Sequence, residues 1–495
     1  MRVAADLLWQ SAAAQRAALA RREVSALELL EATLARTEQV STTVNPLAIV
    51  LDERARAAAE RADEALRRGE GGPLCGIPAT VKDSQWLAGV ACRNGSRVLD
   101  DFVPEVSCAA VERLEAAGAV IFGKTTCPEF SLLGITESPA YGRTSNPWDL
   151  SRTPGGSSGG AAAAVASGLG PFALGGDGGG SIRIPAAFCG LVGFKPTFGL
   201  VPREPCFPTW KTLAVYGPLA RKVEDARLLL GALAGAHPRD RHSITASGLD
   251  AHLPSLRGQR VVASESLGFA PVNPDVSECF RRVLQTLEDE GVEIVFDDPG
   301  LPSSVQTWAV TAHADTFVAD REHLAPGADQ VTEATRAAIE FGATLTLADF
   351  IEAQFQRERI YDAYADLFER HETRILLTPT VGCEAFPHGR LWPDRIGDVE
   401  IELPWIDWAG FLYDANLAGL PACALPMGTG DHQLPVSLQI LGPRGADGAV
   451  LAFAERLEES LDATPMYPEF PIDHRSATGG EDNHAPENSD APQSL

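Results

Sequence analysis

Apolar residues at Leu27, Leu30, Ala32 and Leu34 recur close to a 3.6-residue period after Ser25, and Ser25 with Glu28 has the spacing of a capping box. This predicts a helix there, and an Ala- and Arg-rich pattern predicts another over Asp52 to Arg68, ended by the stretch Gly69 to Pro73. The segment Cys75 to Asp83 reads as a short strand in which Ile77, Ala79 and Val81 share one face, so Thr80 and Lys82 point to the other. Between residues 100 and 235, apolar runs such as Ala119-Val120-Ile121-Phe122 alternate with helical patterns such as Ala109 to Ala117. Small residues from Ala161 to Ala166 read as a helix and Phe172-Ala173-Leu174 as a strand. Alternation of this kind predicts an α/β fold with a largely buried sheet flanked by helices.

Residues 236–400 are less regular, with helical stretches near Val276 to Glu290 and Asp349 to Glu369 and an apolar strand at Ile375-Leu376-Leu377. Strand character returns at Ala422 to Met427 and Leu434 to Leu441, followed by a helix over Ala446 to Leu461. The polar end, 474–495, is expected to be disordered. No repeat at a solenoid period is visible.

Composition narrows the class of function. The 495 residues suffice for two or three domains or one large α/β unit. With 41 basic and 67 acidic side chains the formal charge is −26, which opposes binding to nucleic acid or to an anionic membrane surface. Nine cysteines without a Cys-x-x-Cys pair fit reduced thiols and a cytoplasmic protein, and Asp6 and Gln10 interrupt any signal-peptide core. Thr153 to Gly176 carries no charge, but it is rich in Gly, Ser and Ala and contains Pro171, so it reads as a buried segment rather than a membrane span.

The candidate chemistry lies in two Gly/Ser segments, Pro154 to Gly160 and Gly175 to Arg183. Glycine at this density lets backbone amides approach a ligand. Neither segment has the lysine of a phosphate-binding loop or the Gly-x-Gly-x-x-Gly of a dinucleotide site. Gly155-Gly156-Ser157-Ser158-Gly159 does match the Gly-x-Ser-x-Gly elbow of an α/β-hydrolase with Ser157 as nucleophile, yet all ten histidines lie at or after His237, in no recognisable catalytic context. Lysine is the better candidate base. The chain has only five lysines, one of them Lys82 at the strand end, and a desolvated lysine can lose its proton near neutral pH where arginine cannot. Taken alone, Lys82 reads more readily as an ordinary exposed strand-end lysine paired with Asp83.

Three motifs together change that reading. Gly-Ile-Pro-Ala-Thr-Val-Lys-Asp at 76–83, Gly-Gly-Ser-Ser-Gly-Gly at 155–160 and Gly-Gly-Gly-Ser-Ile-Arg at 178–183 resemble, in order and spacing, the amidase signature family. The resemblance continues through Gly193-Phe194-Lys195-Pro196-Thr197, Asn416 to Pro421 and Leu434 to Gln439, and spans about residues 5–465. It implies a large mixed β-sheet core covered by helices on both faces. The parts are then an N-terminal helical region (1–70), the catalytic core (71–235), a substrate-shaping variable region (236–400), a C-terminal part of the same core (401–473) and the tail (474–495). It also implies hydrolysis of carboxylic amides, with Ser181 as nucleophile, Ser157 after a cis peptide bond as the bridging serine and Lys82 as base. Amides of Gly178, Gly179, Gly180 and Ser181 are expected to form the oxyanion hole. Ser158 is expected to support the triad, with a simple turn role as an equal alternative, and Asp177 and Arg183 to pair beside the nucleophile, with a substrate carboxylate as the sharper alternative for Arg183.

By the same resemblance Ser131, Leu132 and Gly134 border the acyl pocket, and Cys206, Phe207 and Trp210 lie on a loop that reaches it. Their apolar character suggests an uncharged aliphatic or aryl acyl group, with carbamates and esters also open. The expected activity is that of a stand-alone amidase. Three alternatives stay open: the amidase subunit of a glutamine-dependent tRNA amidotransferase, an esterase with Ser157 as nucleophile, and a non-catalytic binding module on the same scaffold. No metal-ligand spacing is present, the mechanism needs no cofactor, and a small-molecule amide is the expected partner, with a homodimer as the default assembly.

Overall fold

The computed structural model describes residues 2–324, 331–401, 407–461 and 468. The tail expected to be disordered lies outside them. Eleven strands form one sheet, in the spatial order Leu47–Val50, Val120–Thr125, Pro78–Lys82, Phe172–Asp177, Val215–Ala220, Val192–Lys195, Ala422–Thr429, Pro435–Leu441, Leu376–Pro379, Arg260–Ala263 and Glu293–Phe296. The sheet is mixed. Pro78–Lys82 runs parallel to both its neighbours, the centre is antiparallel, and Leu376–Pro379, Arg260–Ala263 and Glu293–Phe296 are again parallel.

Apolar side chains alternate between two cores along these strands, as the two-residue period of a strand requires. Ile77, Ala79, Val81, Val261, Leu377, Cys423 and Ile440 belong to one cluster, which also takes in the N-terminal helices. Val262, Leu376, Ala422 and Leu441 belong to the other, with Trp210, Trp308, Trp408 and Tyr413. Both sheet faces are therefore covered, and Ile77, Ala79 and Val81 share a core as their spacing predicts.

Local signals account for most elements. Ser25 and Glu28 form the reciprocal capping box of the helix Ala26–Ser41. The helix Asp52–Arg68 ends at Gly69, whose φ of +73° is the left-handed cap for which glycine is suited. Pro78–Lys82 is shorter than the segment read as strand, because Cys75 to Ile77 is taken up in turn hydrogen bonds with Gly72 and Leu74. Residues 236–400 hold more order than their pattern suggested: the helices Val305–Asp320 and Glu333–Thr344 and two strands of the main sheet. That region is woven into the sheet edge. Among the described residues no helix is long and apolar enough to cross a membrane, and no group of side chains could hold a metal ion.

Candidate active site

The site forms where two adjacent parallel strands end. Thr80 and Val81 pair with Ala173 and Leu174, so Lys82 and Asp177 emerge at the same edge of the sheet, where α/β folds commonly place ligands. Lys82 is 2 % exposed, and its Nζ lies 2.6 Å from Ser157 Oγ, 75 residues away in sequence. The Gly156–Ser157 peptide bond is cis. Lys82 is held by its own backbone, whose N–H donates to Gln85 Oε1 while Gln85 Nε2 donates to Gly175 O. Burial strips the ammonium of water and pushes its pKa down to about 8, against the pull of Cys127, Asp177 and Asp83.

Ser181 and Ser157 open into one hollow with Lys82, Ser84, Asn94, Ser131, Asp177 and Arg203. Ser158 lies beneath it. Its N–H donates to Ser181 O, its Oγ donates to Gly176 O, and it accepts from Gly176 N–H, so it staples the Ser157 loop to the Ser181 loop.

Asp177 and Arg183 form a fully buried ion pair through Nε–Oδ2 and Nη2–Oδ1 contacts, each 3.0 Å. Arg183 also donates to Gln439 Oε1 at 2.7 Å and to Asn416 Oδ1 at 2.6 Å, and Asn416 Nδ2 donates back to Asp177. The alternative in which Arg183 receives a substrate carboxylate fails here: the guanidinium is fully buried and its hydrogen bonds are committed to the protein. Burial alone would raise the Asp177 pKa, but the Arg183 charge and hydrogen bonds, Lys195 and the Gly180 N–H hold it well below the usual carboxylate range. The carboxylate organises the Ser181 loop, accepting from the N–H groups of Gly180 at 2.8 Å and Ile182 at 3.2 Å. That engagement corrects one expectation. The Gly180 amide is already taken by Asp177, so of the expected oxyanion donors Gly178, Gly179 and Ser181 remain.

The glycines have a further cause. A Cβ on Gly178 would fall 2.2 Å from the Trp210 ring, one on Gly179 2.7 Å from Trp308, and one on Gly180 2.4 Å from Leu412. Glycine lets the aromatic wall close on the loop. Trp308 Nε1 donates to Gly178 O at 2.8 Å, and Trp210 Nε1 donates to Thr316 Oγ1 at 3.1 Å, so the helix Val305–Asp320 holds both.

A second hollow that Ser181 also borders is lined by Leu132, Gly134 and Trp210 together with Trp308, Trp408 and Tyr413. Ser131 and Phe207 line the first hollow instead. Cys206 does not line either hollow: it is buried with its Sγ 3.6 Å from Lys211 Nζ. Asn94, Trp308, Trp408 and Tyr413 escaped the sequence reading, as did the contacts of Asn416 and Gln439. The last two stand in motifs that carried the resemblance, but nothing in the sequence pointed them at Arg183.

The amidase family model matches residues 28–451. A glutamyl-tRNA(Gln) amidotransferase subunit of Desulfatibacillum aliphaticivorans is 34% identical over 89% of this chain and 95% of its own length. Its namesake from Prochlorococcus marinus is 36% identical over 90% and 96%. Among solved structures, a bacterial aryl acylamidase of the amidase signature enzymes superposes with a TM-score of 0.85 at 28% identity, covering 92% of this chain and 97% of its own. The corresponding glutamyl-tRNA(Gln) amidotransferase subunit from Thermotoga maritima gives a TM-score of 0.74 at 28% identity, with 91% and 97% covered. With a family match along most of its length and near-complete relatives above 30% identity, this chain belongs to the amidase signature family of enzymes acting on amide C–N bonds.

Proposed function

We propose that this protein hydrolyses uncharged carboxylic amides through an acyl-enzyme on Ser181. The observation that carries the reading is the 2.6 Å contact between buried Lys82 Nζ and Ser157 Oγ in the hollow that Ser181 enters. Neutral Lys82 takes the Ser157 proton as Ser157 takes that of Ser181, and Ser181 Oγ attacks the carbonyl carbon. Amides of Gly178, Gly179 and Ser181 meet the oxyanion, and each well-placed donor is worth about 3 to 4 kcal/mol in such sites. The relay then runs backwards: Lys82 returns a proton to Ser157, which protonates the leaving amine. Water, deprotonated by the same pair, cleaves the acyl ester. A lysine in hydrogen-bonding contact with Ser157 also weakens the esterase reading, which requires a histidine there.

The character of the walls supports an uncharged substrate. Asp177 is spent on Arg183, and Arg203 donates to the carbonyls of Trp210 and Ala214. The remaining wall is largely aromatic, aliphatic or neutral polar. Free glutamine brings an α-carboxylate and an α-ammonium, which need partners of opposite charge when desolvated. A second reading, the amidase subunit of a glutamine-dependent tRNA amidotransferase, has its own support in the 34–36% identity to such subunits, and sequence similarity favours it over the stand-alone enzyme. In that case the tRNA contact falls to a partner, since a chain of net charge −26 repels a phosphate backbone. The nine buried free thiols agree with a reducing, cytoplasmic setting in either case.

Assaying the purified chain on benzamide, an anilide, a carbamate, an ester and glutamine separates the readings. Turnover of the uncharged amides by the chain alone is expected. Glutaminase activity that appears only with a partner protein establishes the second reading instead. A sulfonyl fluoride should modify Ser181, and an adduct found by mass spectrometry on Ser157 would return the esterase.

A further inference from the structure

Lys82 can act as a base only if no anion beside it holds its proton in place, and the next residue in the chain is a buried carboxylate, Asp83. Adjacency invites the two to pair, but Asp83 is engaged by Lys124. Lys124 Nζ lies 3.2 Å from Asp83 Oδ1 with both side chains fully buried, and the same Nζ donates to Ala91 O at 3.0 Å. Tyr141 Oη donates to Asp83 Oδ2 at 2.9 Å. Burial and the Asp83 charge raise the Tyr141 pKa, so the phenol keeps the proton it donates. Val81 stands opposite Lys124 on the neighbouring strand, so the pleat sends Lys124 and Lys82 to opposite faces of the sheet.

The other groups around this cluster are neutral, matched or positive. Burial pushes the thiols of Cys92 and Cys127 up to about 12, so neither is an anion near neutral pH. Asp177 is paired with Arg183. In the hollow itself Tyr216 is held protonated by burial, and Arg203 is a cation. Arg93, a further charge near Tyr141, pairs with Asp100 at 3.1 Å. Among the described residues beside Lys82, Asp83 is thus the carboxylate whose balance depends on a group the mechanism does not use.

We propose that Lys124 is a positioning residue for hydrolysis: by engaging Asp83 it withholds that carboxylate from Lys82 and leaves Lys82 able to serve as the base. The inference rests on Lys82 having that role. Lys124 acts through charge alone. An ammonium in contact with Asp83 cancels much of its field at Lys82, whereas an unmatched carboxylate in a buried site would favour the protonated form of the neighbouring amine.

The pH dependence of kcat/KM for one amide tests this in Lys124→Met. The half-rise of activity is expected to move up by about one pH unit or more, as an opposite charge at close range commonly does. Removing both charges, in Lys124→Met with Asp83→Asn, should bring the half-rise back to near its wild-type position. A purely structural lysine would lower the rate at every pH and leave the half-rise in place. A half-rise that stays or moves down in Lys124→Met overturns the proposal. Should that variant fail to fold, Asp83→Asn carries the test: it leaves Lys124 unmatched, so the half-rise should move to lower pH, and one that stays or rises is the overturning result.

NMR of the protein labelled at lysine Cε keeps the two claims apart, because it follows the Lys82 amine without turnover. The chain has only five lysines, and the Lys82 signal is the one lost in Lys82→Met. If the Lys82 titration moves up in Lys124→Met while the wild type hydrolyses no amide, the role of the pair stands and the hydrolase reading falls. Amide hydrolysis with the Lys82 titration unmoved by Lys124→Met leaves the hydrolase and removes the role given to Lys124.

Discussion

In the proposed mechanism Lys82 is the base, and its pKa then fixes a pH profile. The burial-lowered value of about 8 means that the ammonium form, which cannot accept a proton, dominates below that pH and the free amine above it. Activity is therefore expected to rise through neutral pH, reach half its maximum near pH 8 and level off beyond, as read from kcat/KM against pH. A profile flat down to pH 5 rules Lys82 out as the base. Lys82→Met should lower kcat by about 10²–10⁴ in a folded protein, the usual worth of a positioned proton acceptor. The candidate triad was legible in the sequence because each member sits in a compact motif whose spacing is set by local turns. The aromatic wall near Ser181 was not: Trp308 and Trp408 stand 127 and 227 positions after Ser181, and no periodicity links them to it.

At the scale of elements, the helix Val305–Asp320 explains why residues 236–400 read as irregular. It packs against the helices Glu333–Thr344 and Leu347–Arg370 and against the Ser181 loop, so its buried positions, Val305, Trp308 to His313, Thr316 and Asp320, surround much of the helix instead of forming a stripe. A helix covered on several sides loses the 3.6-residue contrast that sequence reading depends on. The same helix braces the Trp210 loop twice, through Thr316 Oγ1 and through Asp315 Oδ2, which accepts from Lys211 N–H. Thr316→Val removes the acceptor for a buried indole N–H and is expected to cost about 1 to 3 kcal/mol in denaturant unfolding. The short helix Arg183–Cys189 depends on a stronger tie. Arg183→Met leaves Asp177 buried without its counter-charge, at a cost of about 3–5 kcal/mol. Hydrolysis should fall with it, because the same carboxylate positions the Gly180 and Ile182 amides around Ser181. An unchanged unfolding midpoint would contradict the central place given to this pair.

Across the whole molecule the sequence suggested a catalytic core ending near residue 235 and a variable region beyond it, and the sheet order qualifies that division. The strand Val192–Lys195 of the core pairs directly with Ala422–Thr429, and the far edge of the same sheet is built by Leu376–Pro379, Arg260–Ala263 and Glu293–Phe296. Pairing between strands more than two hundred residues apart leaves no local trace in sequence, so the motifs marked the site but not the frame that holds it. Arg183 lies on the N-terminal side of this division, while Asn416 and Gln439, which accept its hydrogen bonds, lie on the other, as do Trp308 and Trp408. A chain ending at the exposed Pro254 would expose the edge of Val192–Lys195 and strip Arg183 of those acceptors. Fragment 1–254 alone is expected to aggregate and to leave Ser181 unlabelled by a sulfonyl fluoride. Co-expressed with 255–495 it should copurify with that fragment and regain labelling, because the break falls in an exposed connection and severs no strand pairing. A monodisperse 1–254 fragment that hydrolyses amides would show that the motif-bearing segment folds without the far half of the sheet, and that the contacts made by Asn416 and Gln439 are dispensable to the site.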